Sequence, residues 1–206
     1  MTLPNKLTLL RILLVPLMVV VFYIPFFNDT ILFSTNEAGF FYGFNLASLI
    51  MLIIFILASI TDFFDGYIAR KYNLITSFGK FADPLADKML VFSAMAIIMV
   101  DAAKYNYDWY YLIMPLWAFI VMLIREFMVS GIRMVVAAKG TVIPAAKLGK
   151  WKTFITMIAI IVLFFMHINI VIAIIGMVLM YVACILTILS GIEYFIKSKS
   201  VILESI

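Results

Sequence analysis

Charged residues are scarce in this sequence. Only 13% of its 206 residues are Asp, Glu, Lys or Arg, whereas 67% are hydrophobic. Soluble proteins are about one quarter charged and about one half apolar, so this composition excludes a water-soluble globular protein. Cysteine is almost absent too, and the single Cys184 excludes an internal disulfide and a zinc site built from cysteines.

Long uncharged runs take the place of the missing charges. They cover residues 12–28, 38–61, 89–100, 109–124 and 153–192. A membrane span needs about 20 residues, so the last run can hold two spans with a polar turn at His167, Ile168 and Asn169. Lipid offers no hydrogen-bond partner to backbone groups, so the spans should be helices. The sequence therefore predicts an all-α integral membrane protein with six transmembrane helices, forming one domain over residues 1–206.

A short amphipathic helix is predicted ahead of the first span. Leu3, Leu7 and Leu10 recur at spacings of four and three residues, which places them on one side of a helix lying at the membrane interface. Pro4 is compatible with the start of that helix.

The basic residues predict the orientation. If both termini lie on one side of a six-span protein, every Lys and Arg except Lys104 falls on that side. The positive-inside rule makes that side cytoplasmic. No organelle-targeting segment is visible, so a bacterial cell membrane is the expected location. Topology also accounts for the net charge of +4, and no nucleic-acid partner is expected.

Two pairs of aspartates mark the expected site. Asp62 and Asp65 are three residues apart near the end of the second span, and Asp83 and Asp87 are four apart at the start of the third. Each spacing puts a pair on one face of its helix, and a short loop should bring the pairs together. Two carboxylates about 4 Å apart repel by about 4 kcal/mol at an effective dielectric near 20, so the cluster needs a counter-charge. Oxygen ligands favour Mg²⁺, Mn²⁺ or Ca²⁺ over zinc.

Such a cluster suits phosphate chemistry. Two ions about 3.5 to 4 Å apart can clamp the attacking and leaving oxygens of a phosphoryl group. Gly66 and Gly79 leave room for a ligand close to the backbone, and Arg70 has the geometry to pair with phosphate. The alternative is that the aspartates only mark solvated helix ends. That alternative fails because the third uncharged run is too short for a span, so Asp83 and Asp87 enter the membrane, where charges are usually functional.

The pattern Asp62-x2-Asp65-Gly66-x2-Ala69-Arg70-x8-Gly79-x3-Asp83-x3-Asp87 resembles the signature of the CDP-alcohol phosphatidyltransferases at all eight fixed positions. This resemblance implies a six-helix membrane enzyme, usually homodimeric, that uses Mg²⁺ or Mn²⁺, with two ions expected, to displace CMP from a CDP-linked lipid with an alcohol. It implies the following roles: metal binding by Asp62, Asp65, Asp83 and Asp87; general base for Asp87; and nucleotide binding by Thr61, Gly66, Ala69, Arg70 and Gly79.

A second group of residues concerns the alcohol. The segments R-E-F-M-V-S-G-I-R, G-K-W-K-T and the opening P-N-K-L-T-L-L-R resemble the phosphatidylglycerophosphate synthase branch of that family. The resemblance implies that a phosphate of the acceptor is bound by Arg125, Arg133, Lys147 and Lys150. Arg125 and Glu126 also stand between two apolar stretches, which predicts a charge pair inside the helix bundle.

The expected reaction is transfer of a phosphatidyl group from CDP-diacylglycerol to sn-glycerol 3-phosphate. Asp87 would take the proton of the attacking hydroxyl. Two alternatives stay open. The acceptor could instead be inositol phosphate, serine or phosphatidylglycerol, or the aspartates could belong to a divalent-cation transporter. Transporter sites often lie near the bilayer midplane between internal repeats, whereas here the charges gather at one end and no repeat is visible.

Overall fold

The computed structural model describes residues 2–37, 40–72, 76–104, 110–138 and 147–203. Within these ranges the chain forms seven α-helices, one two-stranded sheet and a short 3₁₀ turn over Tyr110–Leu112. In chain order the elements are α1 (Leu3–Tyr23), α2 (Pro25–Asp29), β1 (Ile31–Glu37), β2 (Phe40–Asn45), α3 (Leu46–Lys71), α4 (Ser77–Lys104), α5 (Leu116–Ala138), α6 (Lys147–Phe164) and α7 (Ile170–Leu203).

The all-α prediction is confirmed for the bundle, to which the structure adds one short hairpin that the sequence did not predict. β1 and β2 pair antiparallel, with Ile31 opposite Asn45 and Ser34 opposite Gly43. Residues 40–45 are mostly aromatic, and such residues favour strands, although lack of charge made them resemble the start of a span. The helix begins only at Leu46, where the Asn45 side chain accepts a hydrogen bond from the Ser48 backbone N–H at 2.8 Å. This is an ordinary N-terminal cap.

The predicted separate interfacial helix is wrong. Its residues form the first turns of α1, which continues without a break through Pro16 to Tyr23. No residue around Arg11 breaks a helix, so nothing separates the two segments. The break comes at Pro25, because the residue before a proline disfavours helical geometry, and Ile24 is extended at φ −80° and ψ 115°.

Six of the helices have at least 18 residues. Over the described part of the chain, two segments are long and apolar enough by themselves to cross a membrane, Pro4–Tyr23 and Ile170–Lys199. The turn predicted at residues 167–169 is confirmed, since α6 ends at Phe164 and α7 begins at Ile170.

The helices pack around an apolar core. α1 lies against α3 and α4, α5 packs on α7, and α6 packs on α7. The last contact is close at Gly176, where an added Cβ would lie 2.5 Å from Leu163 Cδ2. Large apolar side chains also cover the outside of the bundle, among them Leu13, Val20, Ile53, Leu57, Ile124, Val171, Val178, Ile185 and Ile192. An apolar exterior of this extent suits contact with lipid.

A polar cluster closes the end of the bundle away from the signature aspartates. His167 Nε2 lies 2.7 Å from Asp101 Oδ2, and both residues are buried. Lys104 Nζ lies 3.4 Å from the other oxygen of Asp101. Since α4 rises about 1.5 Å per residue, Asp101 is about 21 Å along the helix from Asp87. The turn that contains His167 therefore lies far from Asp87.

Candidate active site

Helices α3 and α4 bring two of the signature aspartates to one point. Asp62 lies on α3 and Asp87 on α4, and the same atom, Arg11 Nη1, contacts both. It is 2.9 Å from Asp62 Oδ1 and 2.5 Å from Asp87 Oδ1. The sequence did not predict Arg11 as a partner of the aspartates. The counter-charge that the carboxylates need is therefore supplied, in this structure, by a guanidinium from α1.

A third aspartate is held by the same helix. The Thr8 hydroxyl donates a hydrogen bond to Asp83 Oδ1 at 2.5 Å, and Thr8 is fully buried. Thr8 and Arg11 are three residues apart, so they lie on one face of α1. That face is turned towards α3 and α4, with which α1 packs.

For the remaining predicted site residues, the structure describes the side chain of Thr61 but only the backbone of several others. Thr61 is half-buried, and its hydroxyl donates to the Ala58 carbonyl at 2.7 Å. The backbones of Asp65, Gly66, Ala69 and Arg70 belong to α3, and Lys147 begins α6. The side chains of these residues, and the surroundings of Gly66, lie outside what the structure describes.

Gly79 lies in the first turn of α4, against polar groups of the protein itself. Its backbone N–H donates to Thr76 Oγ1 at 3.0 Å, and the Thr76 hydroxyl donates to Asn5 Oδ1 at 2.9 Å. A Cβ at Gly79 would lie 3.2 Å from both of these side-chain oxygens and 3.7 Å from Asp83 Oδ2. The glycine thus allows α1 to approach the start of α4 beside Asp83.

Asp62 and Asp87 line one part of a cavity of about 660 Å³. A volume of this size is typical of small-molecule sites. The other charged lining residues are Lys88, Arg125, Glu126, Arg133, Lys150 and Lys152, together with the hydroxyls of Ser130, Thr153, Thr156 and Thr187. Five basic and three acidic side chains therefore share one cavity, and the balance is positive.

Glu126 is the centre of the basic part of the cavity. Its Oε1 accepts from Arg125 Nη1 at 2.5 Å and from Lys152 Nζ. Lys88 Nζ donates to the Glu126 carbonyl at 3.3 Å and also to the Ser130 hydroxyl. The predicted charge pair of Arg125 and Glu126 inside the bundle is confirmed, with side chains 14% and 20% exposed.

Two further contacts fix the arginines. Arg125 Nη2 donates to Ser190 Oγ of α7 at 2.8 Å. The Arg133 guanidinium carbon lies 5.4 Å from the centre of the Tyr194 ring, a distance at which a cation is attracted to the ring face. Both arginines are therefore anchored on α7, while Lys150 reaches the cavity from α6 and is exposed.

Sequence reasoning missed some of these site residues. Lys88 and Lys152 line the cavity but were not among the predicted phosphate-binding residues, and Thr8 and Arg11 had no predicted role. Their positions in the sequence could have indicated these roles. Lys88 directly follows Asp87, Lys152 belongs to the G-K-W-K-T segment, and Thr8 and Arg11 stand in the opening P-N-K-L-T-L-L-R segment.

The carboxylates offer oxygen donors of the kind that Mg²⁺ and Mn²⁺ prefer. Asp62 and Asp87 reach the cavity with about two fifths of each side chain exposed. Among the side chains that the structure describes, no group of three or more His, Cys, Asp or Glu residues is arranged to hold a metal ion. The donor chemistry fits a hard divalent cation.

The fold and the site belong to a known class. The CDP-alcohol phosphatidyltransferase profile matches residues 1–189, so the chain belongs to that family. It is 40% identical to a CDP-diacylglycerol–glycerol-3-phosphate 3-phosphatidyltransferase of Bacillus subtilis (strain 168), over 95% of this chain and 94% of that protein. It is 39% identical to a protein of the same name from Rickettsia typhi, over 96% of this chain and 97% of the relative, and 34% identical to one from Salmonella choleraesuis, over 98% and 97%.

Proposed function

We propose that this protein transfers the phosphatidyl group of CDP-diacylglycerol to sn-glycerol 3-phosphate, giving phosphatidylglycerophosphate and CMP. The observation that carries the proposal is the cavity in which Asp62 and Asp87 face a basic group made by Arg125, Arg133 and Lys150. A transfer between two phosphate-bearing substrates needs acidic side chains that can hold metal ions and basic side chains that can bind phosphate. The names of the relatives support the same pair of substrates.

The donor is proposed to bind at the acidic part of the cavity. Asp62, Asp65, Asp83 and Asp87 would hold Mg²⁺ or Mn²⁺, with two ions proposed. When bound, such ions neutralise the diphosphate of the donor and the phosphate of the departing CMP. Thr61, Gly66, Ala69, Arg70 and Gly79 would surround the nucleotide; all of them lie on α3 or in the first turn of α4.

Asp87 is proposed as the general base. It would accept the proton of the glycerol 1-hydroxyl as that oxygen attacks the lipid-attached phosphorus. The new phosphorus–oxygen bond forms as the bond to the bridging oxygen breaks, and CMP departs with that oxygen.

The acceptor's phosphate is proposed to bind Arg125, Arg133, Lys147 and Lys150. Arginine forks can grip a phosphate with two hydrogen bonds, and the contacts of Arg125 with Ser190 and Arg133 with Tyr194 orient both groups beforehand. A positively charged pocket favours acceptors that carry a phosphate. It therefore argues against serine and leaves inositol phosphate and phosphatidylglycerol as the rivals to test.

The membrane arrangement is part of the proposal. The six long helices would each cross the bilayer, with both termini and the cavity on the cytoplasmic side of a bacterial cell membrane. The apolar exterior supports this, and so does the gathering of basic residues at one end. The lipid tails of donor and product would stay in the bilayer, and CMP and glycerol 3-phosphate would exchange with the cytosol. A homodimer is proposed from the family resemblance.

The test is an acceptor panel with the purified protein in detergent. The protein is mixed with CDP-diacylglycerol, Mg²⁺ and one of glycerol 3-phosphate, inositol phosphate, serine or phosphatidylglycerol, and CMP release is measured. We expect CMP with glycerol 3-phosphate, and none after a chelator is added. Release with only another acceptor would overturn the substrate assignment.

Variants link the reaction to the site. Asp62→Asn and Asp87→Asn should each abolish CMP release, whereas Asp29→Asn, the same chemical change at an exposed position on α2, should not reduce it. If no acceptor supports CMP release, the protein is reconstituted in liposomes and Mg²⁺ flux is measured. Flux that is lost in Asp87→Asn would favour the transporter alternative.

A further inference from the structure

We infer that Arg11 is a positioning residue: its buried guanidinium holds Asp62 and Asp87 together from behind the cavity, and Thr8 does the same for Asp83. This role is not part of the proposed reaction, but its importance for catalysis rests on the proposed function. It makes the beginning of α1 a structural part of the acidic site.

The three charged groups differ sharply in exposure. The Arg11 side chain is 0% exposed, whereas Asp62 is 37% and Asp87 is 40% exposed. Both aspartates line the cavity, and Arg11 is not among the lining residues. The guanidinium therefore contacts the carboxylates on the side facing the protein interior, and a ligand in the cavity approaches them from the opposite side.

A single nitrogen of Arg11 makes both contacts. Nη1 carries two hydrogens, and it lies within 2.9 Å of an oxygen from each of two helices. Thr8, one turn earlier on α1, donates to Asp83, which lies one turn before Asp87 on α4. Two successive turns of α1 thus meet two successive turns of α4.

Each partner requires the other. A buried arginine without a counter-charge is strongly unfavourable, and neighbouring carboxylates without a cation repel each other. The Arg11 guanidinium supplies a counter-charge to both carboxylates from within the protein. The carboxylates can therefore stay assembled in the metal-free protein and be ready for the next ion.

The experiment is a double-mutant cycle read by thermal unfolding, in detergent with EDTA and without substrate. It compares the wild type, Arg11→Met, Asp87→Asn and the double variant. Asp87→Asn should lower the Tm of the wild type, because it removes a partner of Arg11. It should raise the Tm of Arg11→Met, because there it removes only repulsion between carboxylates.

The control is Met18→Ala, which removes a fully buried side chain elsewhere on α1. Asp87→Asn should change the Tm of Met18→Ala by the same amount and in the same direction as in the wild type. If Asp87→Asn also has the same effect in Arg11→Met, Arg11 is only packing material and the inference is overturned.

A conservative variant keeps the test decisive if Arg11→Met does not fold. Arg11→Lys retains the positive charge on a single ammonium. In the Arg11→Lys background, Asp87→Asn should therefore lower the Tm by at least half as much as it does in the wild type. An unchanged Tm on Asp87→Asn in both the wild type and Arg11→Lys would overturn the inference. Because no substrate is used, a failure here is distinct from a failure of the CMP-release assay.

Discussion

The contacts of Glu126 lead to a prediction about stability. Its carboxylate is the shared partner of Arg125 and Lys152, whose side chains are 14% and 10% exposed. Replacing it by glutamine keeps the size of the side chain but removes the negative charge. Two buried cations would then face each other without compensation. Breaking a buried ion pair by removing one partner costs about 3 to 5 kcal/mol.

This loss is large enough to measure. For a chain of 150 to 250 residues, about 1 kcal/mol shifts the Tm by about 2 to 4 °C, so Glu126→Gln should lower it by about 6 to 20 °C. The measurement is thermal unfolding of the purified protein at low salt. Adding glycerol 3-phosphate should raise the Tm of the variant more than that of the wild type, because the phosphate supplies the missing negative charge.

A matched substitution separates this effect from the loss of any ion pair. Glu193 on α7 pairs with Lys197 at 2.5 Å, but the two side chains are 30% and 51% exposed. A helix-surface pair of this kind is worth about 0.3 to 0.5 kcal/mol, so Glu193→Gln should shift the Tm by about 2 °C at most. Equal Tm shifts in Glu126→Gln and Glu193→Gln would refute the view that Glu126 holds the basic part of the cavity together.

Three further predictions follow from contacts in the bundle. Gly176→Ala places a Cβ against Leu163, and this overpacking should lower the free energy of unfolding by about 1 to 3 kcal/mol. The control is Gly131→Ala, which should not lower the Tm because a Cβ at Gly131 meets nothing within 4 Å. Arg133→Ala should raise the KM for glycerol 3-phosphate by about 10- to 100-fold, since hydrogen bonds to charged groups are worth about 1.5 to 3 kcal/mol; an unchanged KM in CMP-release kinetics would remove Arg133 from the acceptor pocket. Asp101→Asn should lower the Tm but leave kcat unchanged at a temperature where the variant is folded, because that residue lies at the far end of α4.

The helical part of the fold was predictable because it depends on local sequence. Uncharged runs marked most of the long helices, and the polar residues around His167 marked the turn between the last two. The pairing of Arg125 with Glu126 was predictable as well, since an unpaired charge inside an apolar stretch is unfavourable and these two opposite charges are adjacent in sequence. These inferences need no knowledge of which helices are neighbours.

The missed features depend on contacts between distant residues. Arg11 and Asp87 are 76 positions apart, and nothing local to either residue shows that α1 packs against α4. Hydropathy alone suggested that residues 3–11 lie at the membrane interface, whereas the side chains of Thr8 and Arg11 turn inwards to the aspartates. The hairpin was missed for another reason: an uncharged aromatic run looks the same whether it forms a strand or the first turns of a helix.

One turn of α4 connects the two halves of the proposed reaction. Asp87 and Lys88 are adjacent, and consecutive residues of a helix point about 100° apart. Asp87 faces Arg11 and the acidic part of the cavity, while Lys88 reaches Ser130 and the backbone of Glu126 on α5. The proposed base and one of the basic side chains of the cavity are thus fixed to one rigid element. A shift of α4 would move Asp87 and Lys88 together. This arrangement explains why the site is built at the start of α4, where α1, α3, α5 and α6 can all contribute side chains.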